Sequence, residues 1–135
     1  MITNFRNTFL SNFYESTIFA NGFSYPTVEH AYQACKSLDP VDWEMFSKFK
    51  TPTLAKKQGR YIKMRKDWDD IKVEAMEKLL IIKFKDPILA EQLKDTGSKQ
   101  LIEVNNWGDT FWGESPIGNG KNTLGNILMC IRDTL

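Results

Sequence analysis

The sequence predicts an α+β fold, a mostly helical single domain over residues 1–135 with one small antiparallel sheet. Three observations predict it. The chain has 135 residues, the size of one domain. A single strong hairpin signal stands near the N-terminus, and helical patterns with their own start and stop residues fill most of the remaining chain.

Taken in order, Thr17-Ile18-Phe19-Ala20, Asn21-Gly22 and Phe23-Ser24-Tyr25 read as two strands around an Asn-Gly turn. Thr27 is a suitable N-cap for a helix of about ten residues. Val28, Ala31, Tyr32 and Cys35 recur at i, i+3, i+4, i+7 and predict its core-facing stripe. Shorter helices are predicted near 41–49 and 52–60. A long helix is predicted over 69–85, apolar nearly all round in its second half and therefore central. Asp86-Pro87 stops it, and Pro87 opens a helix ending near Gly97. Leu101-Ile102-Glu103-Val104 is a strand candidate. A long loop with two Trp and four Gly occupies 105–120, and a last helix over 122–134 carries Leu124, Ile127, Leu128 and Ile131 on one face.

Composition excludes several classes. With 41% hydrophobic and 26% charged residues the chain is an ordinary globular one. Eighteen basic residues against 17 acidic ones give no basic excess for general nucleic-acid binding. Cys35 and Cys130 form no C-x-x-C and are expected as buried reduced thiols. With a single His, no zinc site is expected and no cofactor. The N-terminus does not read as a signal peptide, and Leu79-Leu80-Ile81-Ile82 is too short to span a bilayer, so a cytoplasmic protein is expected.

Candidate chemistry starts with Glu29. Gln33 and Lys36, at i+4 and i+7, share its helix face beside the apolar stripe, so a carboxylate, an amide and an amine stand in a row. The helix dipole favours an ionised Glu29, suited to a general base or to stabilising a cationic transition state; spacing alone calls for no more than ordinary dipole complementation. His30 points away from the stripe and reads as an exposed surface residue. Trp68, in Arg65-Lys66-Asp67-Trp68, is either a stacking platform for a planar base or an anchor for the long helix. Asp109 lies among aromatics in Trp107-Gly108-Asp109-Thr110-Phe111-Trp112-Gly113, as a proton donor of raised pKa or as a turn residue. Gly118-Asn119-Gly120-Lys121-Asn122-Thr123 precedes a helix without matching a P-loop; free N–H groups there, with Lys121, can hold phosphate, or the segment is a flexible turn with an N-cap.

In order and spacing the chain resembles the NADAR, or YbiA-like, family. The residues that carry this are Phe9-Leu10-Ser11-Asn12-Phe13-Tyr14, Tyr25-Pro26-Thr27-Val28-Glu29-His30-Ala31-Tyr32-Gln33-Ala34-Cys35-Lys36, Arg65-Lys66-Asp67-Trp68, Lys72 and Lys83-Phe84. Asp109-Thr110-Phe111-Trp112-Gly113, Gly120-Lys121-Asn122-Thr123-Leu124-Gly125, Leu128-Met129 and Arg132 complete the set. The resemblance implies an N-glycosidase, acting on early riboflavin intermediates or removing ADP-ribose from guanine in DNA. It puts the catalytic Glu, Trp and Asp on Glu29, Trp68 and Asp109. The expected partner is a phosphoribosyl or ADP-ribosyl small molecule, with ADP-ribosylated DNA as an alternative and no membrane. Glu29, Asp109 and Lys36 are the expected catalytic residues, with Lys36 opening a second route, a Schiff base at C1′, that stands beside direct hydrolysis. Asn12, Trp68, Trp112, Gly113, Lys121 and Asn122 are expected to bind substrate. A non-catalytic ADP-ribose or NAD-binding module is the alternative from another class.

Overall fold

The computed structural model describes residues 1–135. Its elements run β1 (Ile18–Ala20), β2 (Phe23–Tyr25), α1 (Val28–Cys35), α2 (Pro40–Lys48), α3 (Pro52–Gln58), α4 (Trp68–Lys83), α5 (Pro87–Asp95) and α6 (Thr123–Asp133). This is the expected α+β architecture. The chain divides into two compact units, Asn12–Phe84 and Met1–Ser11 with Lys85–Leu135.

In Asn12–Phe84 the hairpin is antiparallel, with Ile18 opposite Tyr25. Asn21 and Gly22 both have positive φ, 55° and 81°, as a tight turn between right-twisted strands requires. Local chemistry sets the helix starts. Thr27 Oγ1 accepts from His30 N to cap α1, and Asp39 and Thr51 cap α2 and α3, each ahead of a proline at the first helical position. Asp67 precedes α4 without a side-chain cap bond, because both its oxygens accept from the Arg65 guanidinium at 2.6 and 2.9 Å.

Helix α1 packs against the hairpin, α2, α3 and α4. Every residue from Val28 to Ala34 is buried as a result, polar ones included. This corrects the expectation for His30, which is fully enclosed. Its Nδ1 lies 2.8 Å from Thr27 Oγ1 and its Nε2 2.9 Å from Phe49 O, so both ring nitrogens are satisfied inside the core. Burial lowers its pKa, and the Phe49 carbonyl partly opposes that. The expectation of an all-buried second half for α4 also needs correction. Met76, Leu80 and Lys83 turn inward at i, i+4, i+7, leaving Ile81 42% exposed.

In the second unit Asp86 caps α5, and Leu124, Ile127, Leu128 and Ile131 of α6 are buried as expected. Cys130 falls off that stripe and is exposed, and Cys35 is only half-buried, so the chain does not hold two buried thiols. The strand expected over 101–104 is not formed. Leu101 and Val104 make isolated bridges to Ile2 and Glu114. The Asn122 side chain takes the positions a partner strand would use, its Nδ2 donating to Leu101 O and its Oδ1 accepting from Glu103 N, both at 2.9 Å.

Candidate active site

Within Asn12–Phe84, Asn12 and Trp68 both meet α1, the helix that carries Glu29 and ends at Lys36. Glu29 lies in the first turn of α1 and is 7% exposed. Its backbone N–H donates to Asn12 O at 3.1 Å, which seats the segment before the hairpin on the start of the helix. Asn12 Nδ2 in turn points at Met76 Sδ on α4, 3.6 Å away, while its Oδ1 is buried and accepts nothing. Orphaned buried acceptors are rare in folded proteins and mark places where a donor is missing.

The row expected on α1 is present. Gln33 Nε2 donates to Glu29 Oε1 at 3.0 Å. That bond fixes the orientation of the amide, so Gln33 Oε1 is the acceptor left over, and it too is buried without a partner. Lys36 caps the C-terminal end of the same helix and is half-buried. Burial lowers its pKa; Glu29 opposes the shift, and Arg60 and Lys56 add to it. A lysine whose ammonium is disfavoured in this way is closer to being a nucleophile than a solvated one.

Trp68 opens α4 and is only 5% exposed, which fits the anchor of the two readings the sequence left open. It packs against Tyr32 of α1 at 5.1 Å between ring centroids, so it anchors α4 to the Glu29 helix.

Lys83 is a residue whose chemistry sequence reasoning missed. It is 1% exposed, with Nζ 5.8 Å from the Tyr14 ring centroid and 5.4 Å from that of Phe84. Burial pulls its pKa down to about 7. The available signal was its i+7 spacing from Met76, which puts it on the inward face of α4.

In the second unit Asp109 is a half-buried turn residue whose Oδ1 accepts from Phe111 N at 3.2 Å and Trp112 N at 2.9 Å. Asn105 holds the same turn from the other side, Oδ1 accepting from Asp109 N and Nδ2 donating to Asp109 O. Gly113 is buried where any Cβ would overlap Glu103 and Asn105. The phosphate seat expected around Lys121 and Asn122 loses its backbone part. The amides of Lys121, Asn122, Thr123 and Leu124 donate to the carbonyls of Thr110, Gly113, Phe111 and Trp112, so these four N–H groups at that helix start already have partners. Asn122 spends its side chain on residues 101 and 103, and Lys121 Nζ lies 5.5 Å from the Phe111 ring centroid.

No group of three or more His, Cys, Asp and Glu side chains is placed to hold a metal ion. No helix is long and apolar enough to cross a membrane.

The model of the NADAR domain matches residues 2–135. The chain belongs to the NADAR family. Among its NADAR relatives, a riboflavin biosynthesis protein of Vibrio vulnificus is 38% identical over 130 residues, covering 94% of this chain but only 35% of that longer protein. The N-glycosidase YbiA of Escherichia coli is 36% identical over 128 residues, 93% of this chain and 79% of YbiA. The solution NMR structure of that YbiA has the same NADAR fold, with a TM-score of 0.82 at 35% identity, covering 93% of this chain and 76% of the other.

Proposed function

We propose that this chain is an N-glycosidase that hydrolyses the C1′–N bond of a phosphorylated ribosylamine, such as a ribosylamino-pyrimidine phosphate of riboflavin biosynthesis, and that residues 1–135 act as one domain. The observation that carries the reading is the buried Glu29 carboxylate, which accepts from Gln33 on a helix start that a backbone bond ties to Asn12. The names of the relatives support the same reaction class.

Breaking a ribosylamine C–N bond develops positive charge at C1′, so the site needs a fixed anion near that carbon, a water and a proton for the leaving nitrogen. Glu29 serves as the anion and as the base that takes a proton from water. The orphan Oδ1 of Asn12 accepts an N–H from the base. Trp68 contributes at most a ring edge to the base, because it is packed on Tyr32. Asp109 is assigned to proton transfer or to a ribose hydroxyl, with Trp112 and Gly113 shaping its turn. Lys36 offers a second route. A ring-opened ribosylamine is an imine at C1′; Lys36 Nζ adds there, its two hydrogens pass to the base nitrogen, the base leaves as the free amine, and water then releases the sugar aldehyde from the lysine.

The test is a mass-spectrometric assay for released sugar phosphate, with a ribosylamino-pyrimidine phosphate in one arm and ADP-ribosylated guanine in DNA in the other. Release in the first arm is expected. Release only in the second moves the substrate to ADP-ribosyl groups, and release in neither leaves a binding module.

A further inference from the structure

The sequence offered Lys121 and its neighbouring amides for the phosphate, and those amides are taken. A different set of cations lies within Asn12–Phe84, near Glu29. Gly59, which caps the C-terminal end of α3, is pressed against the Gln33 side chain so closely that a Cβ there would overlap Oε1. Lys56 lies one turn before Gly59 and Arg60 directly after it. That contact brings both to the end of the row formed by Glu29, Gln33 and Lys36. Their charges act on Lys36, and Glu29 is the carboxylate that opposes them. A cation at a helix C-terminus answers the helix dipole. Here the cations of two helix ends lie near enough to act on one another, so they form a positive patch at this junction.

The second observation is Gln33 Oε1. It belongs to a side chain that is 4% exposed, accepts no hydrogen bond, and lies where α1 meets Gly59. A buried acceptor left without its bond is unfavourable. What it lacks is a donor, and a sugar hydroxyl is a donor attached to the same molecule as a phosphate.

We infer that the junction of α1 and α3 is a sugar-phosphate subsite, in which Lys36, Lys56 and Arg60 take the phosphate oxygens and Gln33 Oε1 accepts a ribose hydroxyl. The inference rests on the proposed function for the identity of the sugar. Charge-assisted bonds from ammonium and guanidinium groups to phosphate are the stronger kind, and Arg60 can give two in parallel. The subsite also separates the tasks along α1. Glu29 at the first turn faces the carbon that reacts, and Lys36 at the last turn faces the charge that anchors.

The test is an NMR titration of the ¹⁵N-labelled full chain with ribose 5-phosphate, ribose, inorganic phosphate and ADP-ribose. Ribose 5-phosphate is expected to shift the amides of residues 33–37 and 56–61, and to bind at least tenfold more tightly than ribose. The double variant Lys56→Gln/Arg60→Gln is expected to keep its spectrum and to lose tenfold or more in affinity. Gln33→Leu is expected to weaken ribose 5-phosphate but not inorganic phosphate. Tighter binding of ADP-ribose than of the monoester assigns the subsite to a diphosphate. Shifts centred on residues 118–124, unchanged affinity in the double variant, or no binding of any phosphate overturns the inference. Sugar release is measured on the same samples. Full release by the double variant removes the subsite and leaves the proposed function; phosphate binding at α3 without release from any substrate does the reverse.

Discussion

Gln33 Nε2 donates to Glu29 Oε1 at 3.0 Å, one helical turn away, with both side chains buried. The amide holds the carboxylate at a fixed angle before any substrate arrives, which is what a group placed beside a developing cation requires.

Glu29→Gln keeps the shape of that pair, since the carbonyl of the substituted amide still accepts from Gln33. Folding should therefore survive, with a thermal midpoint close to that of the parent. The rate constant kcat should fall roughly 10²–10⁴-fold with little change in KM. Steady-state kinetics on a verified ribosyl substrate check this, and a wild-type kcat would remove Glu29 from the chemistry.

Asn122→Ala should act on stability. The native amide satisfies Leu101 O and Glu103 N inside the unit that contains α6. Alanine leaves both without their partner, at roughly 1–3 kcal/mol for each buried group left unsatisfied. Urea unfolding should show a loss of a few kcal/mol, while KM of the folded fraction stays near wild type. A tenfold rise in KM with unchanged stability would instead restore Asn122 to the substrate.

Lys83 sets a stability slope against pH. In the native protein its amine loses its proton at about 7, against 10.5 for an ordinary lysine. Between those values the unfolded chain binds the extra proton, so stability rises with pH, by at most about 1.4 kcal/mol per unit. Lys83→Met has no such group. The variant's stability relative to wild type should be most favourable below pH 7 and should decline steadily toward pH 10. Urea midpoints of both proteins at each pH give the difference directly, and a difference independent of pH would show that Lys83 stays charged.

Most helix boundaries were legible because their signals are local. Thr27, the Asp-Pro and Thr-Pro pairs and the Asn-Gly turn act through their own backbone. Burial was less legible because it depends on what packs from outside. Periodicity finds one stripe on α1, but the hairpin and three helices surround it, so His30 is enclosed although it lies opposite Val28. The same applies to the site. The Glu29, Gln33 and Lys36 row follows from 3.6 residues per turn. Gly59 against Gln33 is a contact between helices that no spacing announces, and the consumed amides of 121–124 depend on a loop that returns its carbonyls to them.

Lys36 decides between the two chemical routes. Burial, assisted by Arg60 and Lys56, lowers its pKa, and Glu29 limits the fall. If its amine attacks C1′, the neutral form is the reactant, and kcat rises with pH until that pKa is passed. Borohydride added during turnover then reduces the imine to a stable secondary amine, and mass spectrometry finds the sugar phosphate on Lys36. Lys36→Ala abolishes turnover in that case. If water attacks directly, borohydride traps nothing. Lys36→Ala then raises KM through the lost phosphate contact, and kcat changes by far less than the roughly 10²–10⁴-fold typical of acid–base groups. Lys36→Arg separates charge from nucleophilicity, because a guanidinium still pairs with phosphate but forms no imine. The subsite at the junction of α1 and α3 predicts that Lys36→Arg recovers most of the activity that Lys36→Ala loses; a dead Lys36→Arg with a borohydride-stable adduct in the wild type would instead make Lys36 the nucleophile.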